Sequence, residues 1–145
     1  MVILMRPDAV AEQWEVIKDA IVPILLNDKD VDRVKENRIL ENIIKGIMQC
    51  WLMVSNDAII ALATTMFVIN PDTTRSLLIT SLYGYRMVDS NEWTEGLLHL
   101  SKYAKSNGCE SITGYTKSKS VISVVDAANA RKEIFFTIKI GDGND

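Results

Sequence analysis

The sequence predicts one domain of the α/β (α+β) class. It is a mixed central sheet with helices on both faces, in the order β-α-α-β-β-β-α-β-α-β. Three observations carry that prediction. Apolar residues recur at helical spacing in four separate stretches. Between the second and third of these, three apolar runs joined by short turns form the pattern of an antiparallel meander. Short strand-like runs then alternate with the last helices, as in crossover units. At 145 residues the chain buries roughly 70% of its unfolded surface on folding and needs no staple. Residues 1–140 are read as one domain and residues 141–145 as a short polar tail. Three prolines and seven glycines leave no Pro/Gly-rich linker between them.

Residues 2–5 read as a short buried strand ended by Arg6-Pro7. Asp8 is the candidate cap of a helix with Val10, Trp14, Ile17 and Ile21 on one stripe, and Pro23 ends or kinks it. A polar break follows, and Asp30 is the candidate cap of a second helix. Its inward face is Val31, Val34, Ile39, Leu40, Ile43, Ile44 and Ile47, and Gly46 marks its end. Residues 50–55 and 58–70 form a hairpin around Asn56-Asp57, and residues 76–85 follow the Asn70-Pro71-Asp72 loop as a third strand. Asp89 and Glu92 form a capping box, with Val88 and Trp93 as its hydrophobic staple, at the start of a helix stopped by Asn107-Gly108. Residues 110–116 read as a strand, 119–129 as a helix and 133–140 as a final strand.

Composition excludes several classes. A net charge of −3 and a pI of about 5.2 give no general attraction to nucleic acid or anionic lipid. The modest basic group Lys117, Lys119, Arg131 and Lys132 holds no stacking aromatic and reads as a solvated rim. Cys50 and Cys109 follow no metal or redox spacing and are expected as reduced thiols in or beside strands. The first residues lack the regions of a signal peptide, and no apolar run is long enough to span a membrane. An intracellular protein is expected.

Several short strings carry a family resemblance. They are Gly46-Ile-Met-Gln-Cys-Trp51-Leu-Met-Val54, Ile60, Thr64, Pro71, Leu78-Ile79, Glu92-Trp93 and Tyr103-Ala104 through Gly108-Cys109. Together with the element order they resemble small GNAT-like proteins, of the N-acetyltransferase fold, found in tailed bacteriophages. The resemblance runs from about Pro7 to Ile140. It implies synthesis in the host cytoplasm, with incorporation into the virion as the further expectation.

A working acetyltransferase of that family would carry an Arg/Gln-x-x-Gly-x-Gly/Ala string after the third meander strand, where backbone N–H groups at a helix start meet the pyrophosphate. Here the stretch is Gly84-Tyr85-Arg86-Met87-Val88-Asp89-Ser90-Asn91. Arg86 suits the first position, but no glycine follows, and Asp89 and Glu92 place carboxylates where the anion would lie. The general acid of the family, a Tyr late in the last helix, is also missing: Val124 to Arg131 holds no aromatic residue.

No catalytic residue and no metal ligand is assigned. Under the acetyltransferase alternative, Arg86, Ser81 and Tyr115 are the candidates for binding acetyl-CoA. A Glu95–His99 pair reads as an ordinary helical contact. The expectation is therefore a non-catalytic structural or interaction protein, with protein partners in a symmetric assembly and no cofactor, nucleic acid or membrane. A divergent acetyl-CoA-dependent N-acetyltransferase is the alternative, and a host-directed inhibitor the third reading. Trp51, Met53, Met66, Phe67 and Met87 are candidates for a partner-facing patch, although each also suits a core.

Overall fold

The computed structural model describes residues 1–26 and 32–141. Its elements are β1 (Val2–Leu4), α1 (Pro7–Glu12), α2 (Trp14–Leu26), α3 (Arg33–Ile44), β2 (Met48–Ser55), β3 (Ala58–Ile69), β4 (Arg75–Gly84), α4 (Ser90–Ser106), β5 (Cys109–Gly114) and α5 (Lys119–Ala127). The five strands lie in the order β1-β2-β3-β4-β5. Neighbours are antiparallel from β1 to β4, while β5 runs parallel to β4. A parallel neighbour needs a crossover, and α4 supplies it.

The local signals explain most boundaries. Asn56 and Asp57 both take positive φ, 52° and 64°, the geometry of the tight turn whose twist matches that of the flanking strands. Gly46 and Gly108 follow the ends of α3 and α4 with φ of 78° and 75°. Alternation along β2 divides the core. Met48 and Cys50 face one layer with Val10, Trp14, Ile17, Ile21 and Ile43 from the first three helices. Trp51 and Met53 face the other layer, with Leu77, Leu100 and Ala104. Helices therefore cover both faces of a mixed sheet, as the sequence predicts.

Five details differ from the sequence reading. The first helix is two. Gln13 caps α1 while its carbonyl accepts the N–H groups of Val16 and Ile17, so the apolar stripe continues on one face across the break. Pro23 lies inside α2 and does not end it, since the helix runs on to Leu26. Asp8 does not cap α1; it pairs with Arg6 at 2.9 Å. The cap of α3 is Asp32, which accepts the Lys35 N–H at 2.8 Å; Asp30 and Val31 lie outside the described residues. Of the expected α3 face, Ile39 and Ile43 are buried, whereas Val34, Ile44 and the following Ile47 are exposed.

The largest difference is at the end of the chain. Residues 133–140 form no strand. After α5 the chain turns at Asn129 (φ 58°) and runs on with Ile134, Phe135, Phe136, Ile138 and Ile140 exposed. The alternation that predicts a strand is present, but no sheet edge pairs with it. Among the candidate patch residues, Trp51 and Met53 are core, Met66 and Phe67 are half-buried, and Met87 is exposed. No helix of the described residues is long and apolar enough to cross a membrane.

Candidate functional site

The sheet opens at one place. β4 and β5 pair from Arg75↔Cys109 to Ile79↔Gly114, and there β5 stops, while β4 runs on to Gly84. At the same point the β3–β4 register jumps, because Thr64 faces Ser81 and Thr65 faces Ile79. Thr80 is thus an extra residue in β4, a bulge that bends the strand where its neighbour leaves it. Gly114 permits the last close pairing: a Cβ there would lie 3.3 Å from both the Cβ and the carbonyl oxygen of Ile79. The result is a wedge between the carboxyl ends of two parallel strands, where ligands bind in open α/β sheets. Beyond Ile79 the β4 edge facing this wedge has no strand partner.

Under the wedge lies an apolar cavity of about 70 Å³. Ile79 and Leu82 of β4, on either side of the bulge, line it with Trp93 and Leu97 of α4 and Val121 and Val125 of α5. The Trp93 indole donates to Ser120 at 3.2 Å and ties the two helices together at the cavity's rim.

Hydroxyl groups fill the other side of the bulge. Thr64 bonds both Thr80 and Ser81, and the Trp51 indole donates to Thr65, which in turn donates to Gln49. Ser81 is buried and committed to Thr64, so of the candidate binding residues it acts as a support for the bulge.

The start of α4 is closed. Asp89 accepts the Glu92 N–H at 2.8 Å, and Glu92 accepts the Asp89 N–H at 3.1 Å, a complete capping box. Arg86, the candidate phosphate ligand, grips the same Glu92 through two bonds of 3.0 and 2.8 Å. That guanidinium, with the Asp89 N–H second, holds the Glu92 carboxyl down to about 2. The Asp89 and Glu92 N–H groups and the Arg86 guanidinium, which an anion would use, are therefore already engaged by carboxylates of the same chain.

Tyr115 stands just past β5, exposed and stacked on Phe135 with ring centroids 4.3 Å apart. Arg86, Ser81 and Tyr115 share no direct contact among the bonds and ring pairs described. Glu95 does not pair with His99 but with the Met1 amino group at 3.0 Å, and exposed His99 sets its ring edge-on to Trp51. Cys50 is buried, which pushes its thiol up to about 12, and Cys109 is half-buried; both are free. No cluster of potential metal ligands occurs among the described residues.

Sequence reasoning missed the Thr80 bulge and also Tyr85. The Tyr85 ring meets Tyr83 edge-on at 5.0 Å at the carboxyl end of β4. Although Tyr85 is 45% exposed, its partial burial, with Tyr83 and Cys50 adding to it, raises its phenol above the ordinary 10.0.

Solved structures of acetyltransferases share this architecture. A probable acetyltransferase superposes with a TM-score of 0.72 at 9% identity, covering 98% of this chain and 99% of that one. A predicted acetyltransferase from Clostridium acetobutylicum, solved with acetyl-CoA, gives 0.68 at 18% identity over 97% and 95% of the two chains. A GNAT family acetyltransferase from Staphylococcus aureus gives 0.65 at 12% identity over 97% and 98%. No protein-family model matches the sequence, and neither does any curated protein. The chain has the GNAT acetyltransferase fold.

Proposed function

We propose that this chain is a divergent acyltransferase that takes an acyl group from a pantetheine thioester held in the β4–β5 wedge. The observation that carries the reading is the wedge itself: pairing ends at Ile79↔Gly114, a bulge at Thr80 bends β4 away, and five further β4 residues follow. Their unpaired backbone edge offers donors and acceptors to the amides and carbonyl of an extended thioester arm, and the apolar cavity beneath receives its methylene groups. The fold shared with an acetyltransferase solved with acetyl-CoA supports the same reading.

In such a reaction a nucleophile, by analogy an amine, adds to the thioester carbonyl and gives up a proton to solvent, the C–S bond breaks, and the thiolate takes a proton. Tyr85, protonated at neutral pH, is the proton donor at this end of β4. The closed start of α4 makes the diphosphate of coenzyme A a weak contributor, since Asp89 and Glu92 already fill its place.

Thiol release on incubation with acetyl-CoA and a panel of primary amines tests the reaction. Release above the amine-free background for at least one amine is expected. No release, combined with no rise in melting temperature at millimolar acetyl-CoA, would remove the proposal.

A second reading rests on a different observation. The Arg86–Glu92–Asp89 lock is what a non-catalytic descendant of the fold would build, with the domain used to bind a protein partner. The resemblance to phage proteins supplies its setting, a virion component. Presence of the polypeptide in purified particles at fixed stoichiometry supports this second reading; absence from them removes it.

A further inference from the structure

Beside the wedge the two faces of the sheet differ. The apolar cavity lies against α4 and α5, on the face of Trp51 and Met53. The strand registers set out the opposite face row by row. Thr64 and Ser81 form one row, the hydroxyls that brace the bulge. The next row crosses four strands, with Ile3 beside Leu52, Leu52 beside Leu62 and Leu62 beside Tyr83. Beyond it Val54 pairs with Ile59, and Tyr85, whose N–H donates to the Ile60 carbonyl, sets its ring against Tyr83. Met53 and Ile60 belong to the core layer under α4, so alternation turns Val54 and Ile59 to this side.

Cover thins along these rows. Leu62 is buried and Tyr83 half-buried, whereas Ile59 is 49% exposed and Tyr85 45%. Leu25 and Leu26, at the end of α2, pack on the core layer that holds Leu62. The two outer rows contain no charged side chain. A molecule lying on them meets methyl groups and two phenol rings. It finds in them no carboxylate for a second ammonium group and no set of donors for a sugar.

We infer that the acyl acceptor is a monoamine with an apolar, aromatic body of the phenethylamine kind, seated on this shelf with its nitrogen at the wedge. The inference rests on the acyl-transfer reading. The thioester arm occupies the cavity face, which leaves the α2 face to the nucleophile. The edge-on pair of Tyr83 and Tyr85 offers an aromatic ring its preferred contacts, and covering Ile59 removes apolar surface from water. The neutral amine nitrogen bonds to the acyl carbon and gives a proton to solvent, while the C–S bond breaks and the thiolate is protonated.

Thiol release from acetyl-CoA, with phenethylamine, spermidine and glucosamine in parallel, tests the inference on the full chain. A kcat/KM for phenethylamine above both others by roughly tenfold or more is expected, the scale on which apolar contacts discriminate. Ile59→Asn should raise the KM for phenethylamine by a similar factor, with unchanged circular dichroism as the check on folding, and Ile59→Leu should restore it. Ile69→Asn, at the far end of the same strand, is the control and should leave it unchanged. Spermidine or glucosamine used as well as phenethylamine, or a folded Ile59→Asn with the native KM, overturns the acceptor assignment and leaves acyl transfer standing. So does release with some other amine but not with phenethylamine. Release with no amine removes acyl transfer, and the assignment with it.

Discussion

Glu92 joins three groups at the start of α4. It accepts the Asp89 N–H, its own N–H is capped by Asp89, and both terminal nitrogens of Arg86 bind it. Its carboxyl is held at about 2 against an ordinary 4.5, so the folded state binds its proton more weakly than the unfolded state does. The stabilisation is present above pH 4.5 and is lost as pH falls through that value towards 2. Glu92→Gln should therefore melt below the native chain at pH 6, with the gap closing by pH 2; a gap independent of pH would contradict the lock. In the core, Leu77 is fully buried, and Leu77→Ala should cost about 2–5 kcal/mol in urea unfolding. The capping box was legible in the sequence because it is local: a cap, a carboxylate three residues on, and apolar residues on either side; the Arg86 grip on Glu92 was not, since Arg86 read as a phosphate ligand. Thr80 was not legible. Its bulge exists only in the register between β3 and β4, and no glycine or proline announces it.

Among elements, β4 and β5 matter most, and their geometry hangs on one close approach. Gly114→Val sets a side chain against Ile79, whose nearest atoms are 3.3 Å from the Cβ position. A loss of about 1–3 kcal/mol is expected from such overpacking. The last β4–β5 pair should open, read as faster amide exchange at Thr113 and Ile79. Stability and exchange equal to the native chain would show that the strands are not pinned there. At the other boundary of the wedge, Asp89→Ala removes one cap of α4 and should cost about 1 kcal/mol, measured by thermal melts. Helix α4 was legible almost to the residue because cap and terminator are both encoded locally. The final strand was not, for the opposite reason. Residues 133–140 carry strand alternation, but a strand forms only against an edge, and the sequence does not say where that edge is.

For the whole molecule, element order sufficed to predict a mixed sheet with helices on both faces, because each core layer is written in the alternation of β2 and in the helix stripes. Function was less legible. The sequence exposed the closed helix start and so favoured a non-catalytic use, while the open wedge beside it depends on where pairing stops. The two features make a joint claim about ligands: the chain accepts the thioester arm and gains little from the diphosphate. Calorimetric titration of S-acetyl-pantetheine and acetyl-CoA, side by side, tests that claim most directly. Dissociation constants within about tenfold of each other, a difference of about 1.4 kcal/mol, are predicted. Binding of neither ligand, or acetyl-CoA tighter by a thousandfold, would contradict it.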